Sequence, residues 1–488
     1  MTDAAFAGAE PDAVPVIVRR LRREFAMTDS GLAELVGVSV SQMAEFESGH
    51  ALPTAAQRLR MVQLMETSPL VPKPTSAPRN PHSERGAPLG QASDADSRPT
   101  DDEAGKHDDP EAVRLRARVA EHLEQQGFRL LSTGLIAPVA NGKDDLRGLH
   151  LEAVKALRNR GRAALAKKEP AFIERLAAGI DVAPSRIRPR LVPVDTYRSP
   201  DAPLWRWCSL HWSVPVSGGY GRRLRFLVVD TAHNDAVMGL IGLADPVYAL
   251  NSRDQRIGWN ADQRGERLTS VMDAFVLGAV PPYSNLLGGK LMAMIAGSRE
   301  VRETFAERYG HRETLIAGRD PQAQLALITT SSALGRSSVY NRVRRRDGSL
   351  VMHPVGFTRG SGDFHFSGDI YEELAAFAMQ RSAGASHRHE RWGAPGFRNR
   401  REVIQKALQA LGLPSRAMRF HGVQREVFLN PLARNSYSYL RGDEHDLDFF
   451  DDAADDVAAF WRERWALPRS QRDTSWLSFD PNTWRLYT

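Results

Sequence analysis

Between Ser68 and Pro110 the chain reads SPLVPKPTSAPRNPHSERGAPLGQASDADSRPTDDEAGKHDDP, with no recurring apolar position and a surplus of Pro, Ser, Gly and Asp. Such a stretch cannot bury enough apolar surface to offset the entropy of ordering it. It is expected to be a disordered linker (68–110), so no single core can run through the 488 residues. A short N-terminal unit, 1–67, then stands apart from a long remainder. The length of that remainder leaves room for more than one folded unit.

Hydrophobic residues make up 42% of the chain and charged residues 25%, enough for an ordinary globular core. Lys and Arg total 65 against 59 Asp and Glu, and the formal net charge of +6 is too thinly spread to point to nucleic acid by itself. Cys208 is the only cysteine, which excludes an intramolecular disulfide and any CxxC zinc site. The start, MTDAAFAGAEPDAVPV, lacks a basic segment followed by an apolar run, and no stretch nears the roughly 18 apolar residues of a membrane helix. A soluble cytoplasmic protein with no membrane partner is the expectation. No GxxxxGK[ST] occurs to make it a P-loop motor.

In the N-terminal unit, Val14, Ile17, Val18 and Leu21 recur at helical spacing, Ser30 can cap GLAELVG, and Gly37 suits a tight helix-to-helix turn. LAELVGVSVSQMAEFESG resembles the helix-turn-helix of the lambda-repressor-like (Xre) family, with Phe46 where that family usually has Trp. The resemblance implies an all-α DNA-binding head and puts the recognition role on Ser39, Ser41 and Gln42. A glutamine amide can pair with adenine N6 and N7 together. By the same analogy the head would dimerise on a two-fold site.

Beyond Glu111 helices dominate until Trp205, where WRWCSLHWSVPV, RRLRFLVVDT and AVMGLIGLADP read as a meander of three antiparallel strands. A helix through DQRGERLTSVMD, strands FVLGAV, ETLIAG and LALITTS, and a hairpin turning at Asp347 and Gly348 follow. Helices return in the last part, with a short strand near EVFLNPL.

Four places carry candidate chemistry. In PPYSNLLGGKL a strand passes into a helix through a polar loop, so Tyr283, Asn285, Gly288, Gly289 and Lys290 could hold an anion; alternatively the glycines only permit close packing. In RDQRIGW, Arg253 and Asp254 offer a planar fork beside Trp259, or a buried bridge. GRSSVYNRV gathers Arg336, Ser337, Ser338, Tyr340, Asn341 and Arg342, suited to phosphate, or else a helix capped by Ser337 with Tyr340 packed inward. TRGSGDFHFSGD places Asp363 and His365 on one face of an expected strand, as an acid/base pair or simply its polar side. SHRHER and GDEHDLDFFDDAADD read as solvated surface rather than metal sites, so no metal is expected.

The order of elements, with SSVYNRV before PVGFTRGSG, resembles a GNAT-type N-acyltransferase. That implies a GNAT-like mixed sheet with helices on both faces, acetyl-coenzyme A as cofactor, and Tyr340 as general acid. Of the Gln/Arg-x-x-Gly-x-Gly/Ala pyrophosphate loop only Gly288 matches, Tyr283 and Leu286 standing at the other two positions. Across about 131–465, LIGLADPVYALNSRDQRIGW, PPYSNLLGGKLMAMIAGS, ITTSSALGRSSVYNRV and VGFTRGSGDFHFSGDIYEEL are similar to the DruA family of Druantia anti-phage systems. That implies a defence component with other defence-system proteins as partners. The overall expectation is an α+β chain: helix-turn-helix, a GNAT-like and DruA-like α/β core that these resemblances imply over 111–384, and a helical C-terminal extension, 385–488, packed on it. Three functions fit: a defence protein with a ligand- or nucleic-acid-sensing core, an acetyl-coenzyme A-dependent acyltransferase, and an Xre-type regulator with an effector domain.

Overall fold

The computed structural model describes residues 18, 32, 33, 36, 38–48, 50, 51, 53 and 57, and then 109–487 except 132, 133, 135, 140, 141, 196–198, 217–220, 314–317, 319 and 382–399. The chain divides into two compact units, 1–124 with 129–137 and 372–421, and 125–128 with 138–371 and 422–488. Among the described residues no helix is long and apolar enough to cross a membrane.

In the first unit, helix Val40–Ser48 packs Met43 and Phe46 into a cluster with Val18, Leu32, Ala33 and Val36. Phe46 thus fills the core position that its bulk suits. Ser39 and Gln42 form a reciprocal cap, since the Gln42 N–H donates to Ser39 Oγ at 3.2 Å and the Ser39 N–H to Gln42 Oε1 at 3.0 Å. Most of the expected linker lies outside the described residues. Its last two residues do not behave as linker: Asp109 accepts the Glu111 N–H at 3.1 Å and Pro110 opens helix Pro110–Gln125.

The second unit is built on a seven-stranded sheet: β1 Pro189–Pro193, β2 Arg223–Asp230, β3 Ala236–Ala244, β4 Val271–Ala279, β5 Leu327–Ser331, β6 His353–Phe357 and β7 Glu426–Pro431. Their order is β1-β2-β3-β4-β5-β7-β6. Neighbours are antiparallel except β4 and β5, whose parallel pairing runs only from Val271↔Leu327 to Asp273↔Thr329. β4 continues to Ala279 and carries an extra residue, Phe275, where its register against β3 shifts.

β2 and β3 are nearly continuous apolar runs because both faces of the sheet are covered. On one face Phe226, Val228, Met238 and Ile241 meet helices Gly288–Ile295, Arg299–Tyr309 and Ala454–Trp461. On the other, Leu227, Val229, Val237 and Leu240 meet Trp205, Trp207 and Cys208. The Cys208 thiol is buried there, which pushes its pKa up and keeps it protonated.

Four expectations change. The helix expected through DQRGERLTSVMD stops at Arg267, a short turn runs to Ser270, and Val271, Met272 and Asp273 already belong to β4, where they pair with β5. WRWCSLHWSVPV is not the first strand: Ala202–Ser209 is a helix, opened by Pro203, with Leu204, Trp205, Trp207 and Cys208 buried at helical spacing. Aromatic residues favour strands only where a pleated surface receives them. The meander instead begins with β1. The turn at Asp347 and Gly348 forms, with the Gly348 N–H donating to Arg345 O at 3.0 Å, but β6 beyond it pairs with β7. Thus a strand expected within the C-terminal extension lies inside the sheet, between β5 and β6. The expected strand ETLIAG falls largely outside the described residues.

One buried carboxylate ties the sheet to its loops. Asp230, fully buried at the end of β2, accepts from the Arg188 and Ala232 N–H groups at 2.9 and 3.1 Å, from His233 Nδ1 at 2.6 Å and from Tyr283 Oη at 3.0 Å. The Ala183 N–H donates to His233 Nε2 at 2.9 Å, which fixes the proton on Nδ1. Asp230→Ala would strand these donors and is expected to cost at least about 3 kcal/mol, against about 1.5–3 kcal/mol for Tyr283→Phe. Urea unfolding midpoints check the order; equal losses would mean that Asp230 is no hub.

Candidate ligand-binding site

The loop from Val280 to Leu287 leads β4 into helix Gly288–Ile295, and Asp230 determines how it folds. Because Tyr283 turns inward, its side chain is wholly buried, and burial together with Asp230 pushes its pKa up. Leu286 is equally buried. The N–H groups of Asn285, Leu286, Leu287, Gly288 and Lys290 donate to Pro282, Tyr283, Ser284, Tyr283 and Leu287 carbonyls at 2.9–3.2 Å. Gly288 is required because a Cβ there would lie 2.7 Å from Tyr283 O.

The C-terminal segment closes over the same loop. Trp461 Nε1 donates to Leu287 O at 3.1 Å and Arg469 Nε to Asn285 O at 3.3 Å. Asn285 Oδ1 accepts from Ser284 Oγ. These residues do not fit the pyrophosphate of coenzyme A: the N–H groups of residues 284–288 and of Lys290 are taken, Leu286 stands where a glycine is needed, and Tyr283 points away. Tyr283 and Asn285 are therefore structural in this geometry.

What remains exposed is a rim where this loop meets residues 336–342. Lys290 Nζ donates to Val339 O at 3.1 Å, and a Cβ on Gly289 would touch Val339 at 3.4 Å. Ser337 Oγ accepts from the Val339 and Tyr340 N–H groups at 3.2 and 3.1 Å and so caps the short turn Tyr340–Arg342. The Ser337 N–H and Asn341 Nδ2 both donate to Glu426 Oε2, at 3.1 and 3.5 Å. The Tyr340 ring meets Phe428 edge-on at 5.3 Å, and burial pushes its hydroxyl up to about 12, so it stays a proton donor.

Ser337 and Tyr340 thus follow the capped-turn alternative, while Arg336, Ser338, Asn341 and Arg342 face solvent. Their charges are unbalanced. Arg345 and Arg346 next door have Asp452 at 2.9 Å and Glu463 at 4.0 Å. Among the described residues no carboxylate lies within 4.0 Å of Lys290, Arg336 or Arg342. Burial and the Arg342 charge lower the pKa of Lys290, so an anion bound here would relieve a standing repulsion.

The Arg253 group lies elsewhere and is internally satisfied. Arg253 is fully buried and donates to Asp254 Oδ1 at 2.8 Å, to Val247 O at 2.9 Å and to Tyr248 O at 2.9 Å. Trp259 Nε1 donates to the same Asp254 oxygen at 3.0 Å. The bridge holds the turn before helix Asn251–Ile257 and leaves no fork for a ligand.

Asp363 and His365 do not share a strand face, because residues 363–366 form a turn in which the Phe366 N–H donates to Asp363 O. The period-two argument fails at Gly360 and Gly362, where the chain leaves β6 and Gly360 packs on the Gly422 backbone. His365 is fully buried against Phe128, Phe364 and Phe366, with ring centroids at 5.5, 5.4 and 4.3 Å. The His150 ring packs against Phe364 with centroids 4.0 Å apart and planes tilted by 42°, and neither of its ring nitrogens has a hydrogen-bond partner among the described residues. Burial, then Arg425 and His365, lower its pKa to about 3.

A residue of this rim that sequence reasoning missed is Glu426, a buried acceptor that orients the 337–341 segment from about 85 residues further along the chain. Its one signal is an acid opening the apolar run VFL. SHRHER, where no metal is expected, lies outside the described residues, among which no group of three metal-ligating side chains occurs.

A family model described as Druantia protein DruA matches residues 140–442. A protein named Druantia protein DruA, from Escherichia coli (strain UMEA 4076-1), is 37% identical over 376 residues, covering 75% of this chain and 92% of that relative. No solved structure matches significantly.

The buried His150 generates a pH dependence. Its folded pKa lies below the unfolded value, so its share of stability is complete above about 6.5 and is lost as pH falls towards about 3. Between pH 7.5 and 5 that loss amounts to about 2 kcal/mol. His150→Phe is expected to flatten the stability profile by this amount in urea titrations; an unchanged slope would show that His150 is not held neutral.

Proposed function

The chain belongs to the family of Druantia protein DruA, and from that membership we propose that it serves in defence against phage. Its sheet domain recognises a phosphate-bearing, nucleic-acid-related ligand at the rim of Lys290, Arg336 and Arg342. The observation that carries this is the charge imbalance there: Lys290 and Arg342 repel each other, Arg336 is exposed on the same segment, and none of the three has a carboxylate within 4.0 Å among the described residues, beside the Ser338 hydroxyl and the Asn341 amide. Arginine forks and small hydroxyls are the usual partners of phosphate oxygens. The head, residues 1–67, binds DNA through Ser39, Ser41 and Gln42. All three side chains are exposed at the start of their helix, which is where such modules meet base edges. Homodimer formation and contacts with other defence proteins belong to the same reading.

A second reading, the acetyl-coenzyme A-dependent acyltransferase, has one observation in its favour. The strand order β1-β2-β3-β4-β5-β7-β6, with its parallel β4/β5 pair and a helix following β4, supports a GNAT-like core. The cofactor loop argues the other way, and we regard the core as this scaffold with its coenzyme site filled by its own side chains. Tyr340 keeps its proton, but with no cofactor cradle it serves to position the rim. The Xre-type regulator is the reading left if the head acts alone.

Two measurements test the proposal. In cells carrying the complete system, Arg336→Ala with Arg342→Ala is expected to abolish phage protection at unchanged protein level; retained protection would overturn the rim assignment. Coenzyme A and acetyl-coenzyme A are expected to leave the thermal midpoint unmoved. A ligand at 100 times its Kd would add about 2.7 kcal/mol, so a saturable shift would restore the acyltransferase.

A further inference from the structure

The rim does not end at Arg342. It continues onto the C-terminal helix, which lies beyond the residues that the family model matches. Helix Ala454–Trp461 runs on through a π turn, Arg462–Ala466, into helix Leu467–Arg472. Single π turns inside helices often mark functional sites because they displace side chains from the regular spiral. Here the turn brings Trp465 beside Lys290, whose Nζ sits 5.8 Å from the indole centroid. Arg346, just past the rim segment, lies over Phe460 at 5.2 Å. Both cation–ring pairs join the rim to this helix.

The helix is itself basic on its outer side. Arg464 and Arg472 are exposed, and no carboxylate among the described residues pairs with either. The acids nearby are engaged, Glu463 facing Arg346 and Asp473 paired with Arg469. Eight residues at a rise of 1.5 Å separate Arg464 from Arg472 by about 12 Å. One phosphate group cannot bridge that distance.

Resting on the rim reading above, we infer that the ligand is a polynucleotide strand, its phosphates followed from Arg336 and Arg342 past Lys290 to Arg464 and Arg472. A mononucleotide would need only the rim. An extended backbone uses both ends of the band, and its bases need no groove-reading helix from this domain.

The test is the affinity of the full chain for a fluorescent oligothymidylate, measured by anisotropy across a salt series. A single strand bypasses the head, which resembles readers of duplex major grooves. The wild-type chain is expected to bind with a steep salt slope, and Arg464→Ala with Arg472→Ala to lower that slope by about 0.7 for each phosphate left without its arginine. Arg342→Ala should lower it as well, and Arg464→Lys with Arg472→Lys should largely retain it. All three substituted arginines are exposed, so unchanged thermal midpoints separate impaired binding from impaired folding. If Arg342→Ala weakens binding while the Arg464 and Arg472 pair leaves affinity and slope unchanged, the strand path is overturned and the rim survives. If the wild-type chain does not bind the probe, the strand path falls and the rim stands or falls with the phage-protection test; if it binds and no variant alters binding, both fall.

Discussion

A single buried carboxylate governs how this domain presents its surface. Asp230 collects donors from the chain entering β1, from the turn after β2 and from Tyr283 in the loop after β4. A carboxylate in an apolar interior has a large desolvation cost unless its lone pairs are met, so these groups hold each other in place. With Tyr283 drawn inward, the loop closes on its own N–H groups and its carbonyls turn to Trp461 and Arg469. The junction of β4 with its helix therefore folds without the cradle that a pyrophosphate needs.

The rim depends on the insertion of β7. Because that strand lies between β5 and β6, Glu426 reaches the segment following β5 and accepts from Ser337 and Asn341. A buried acid that orients donors this way supplies in advance part of the ordering that binding would otherwise require. Arg336, Ser338 and Arg342 are left pointing outward from a turn whose backbone is fixed. Lys290 arrives from the other direction, anchored on Val339 O. A positive surface assembled from two distant stretches cannot be read from the small net charge of the whole chain.

The candidate site was partly legible in the residues. GRSSVYNRV and GGK stood out because hydrogen-bonding and basic groups cluster there, and the structure brings those two stretches together. Their division into outward-facing and inward-facing groups was not legible, since Ser337 as a cap and Tyr340 as a packing ring read the same as phosphate ligands until Glu426 and Phe428 are in place. Arg253 and Asp254 illustrate the converse: a polar pair that looked fit for a ligand meets its bonds inside its own turn. The helix Ala202–Ser209 was misread because tryptophans favour strands locally, whereas here their burial follows helical spacing against two neighbours.

Local chemistry alone accounts for the apolar runs of β2, β3 and β5, the turn at Gly348 and the family signature, all of which can be read from the chain without its fold. Each depends on residues close together in sequence, where propensity and spacing act directly. The position of β7, the inward turn of Tyr283, the burial of His150 and His365, and the meeting of Lys290 with Arg342 and with Trp465 emerge only once the chain has folded. Those depend on partners tens to hundreds of residues away, whose identity no local pattern encodes.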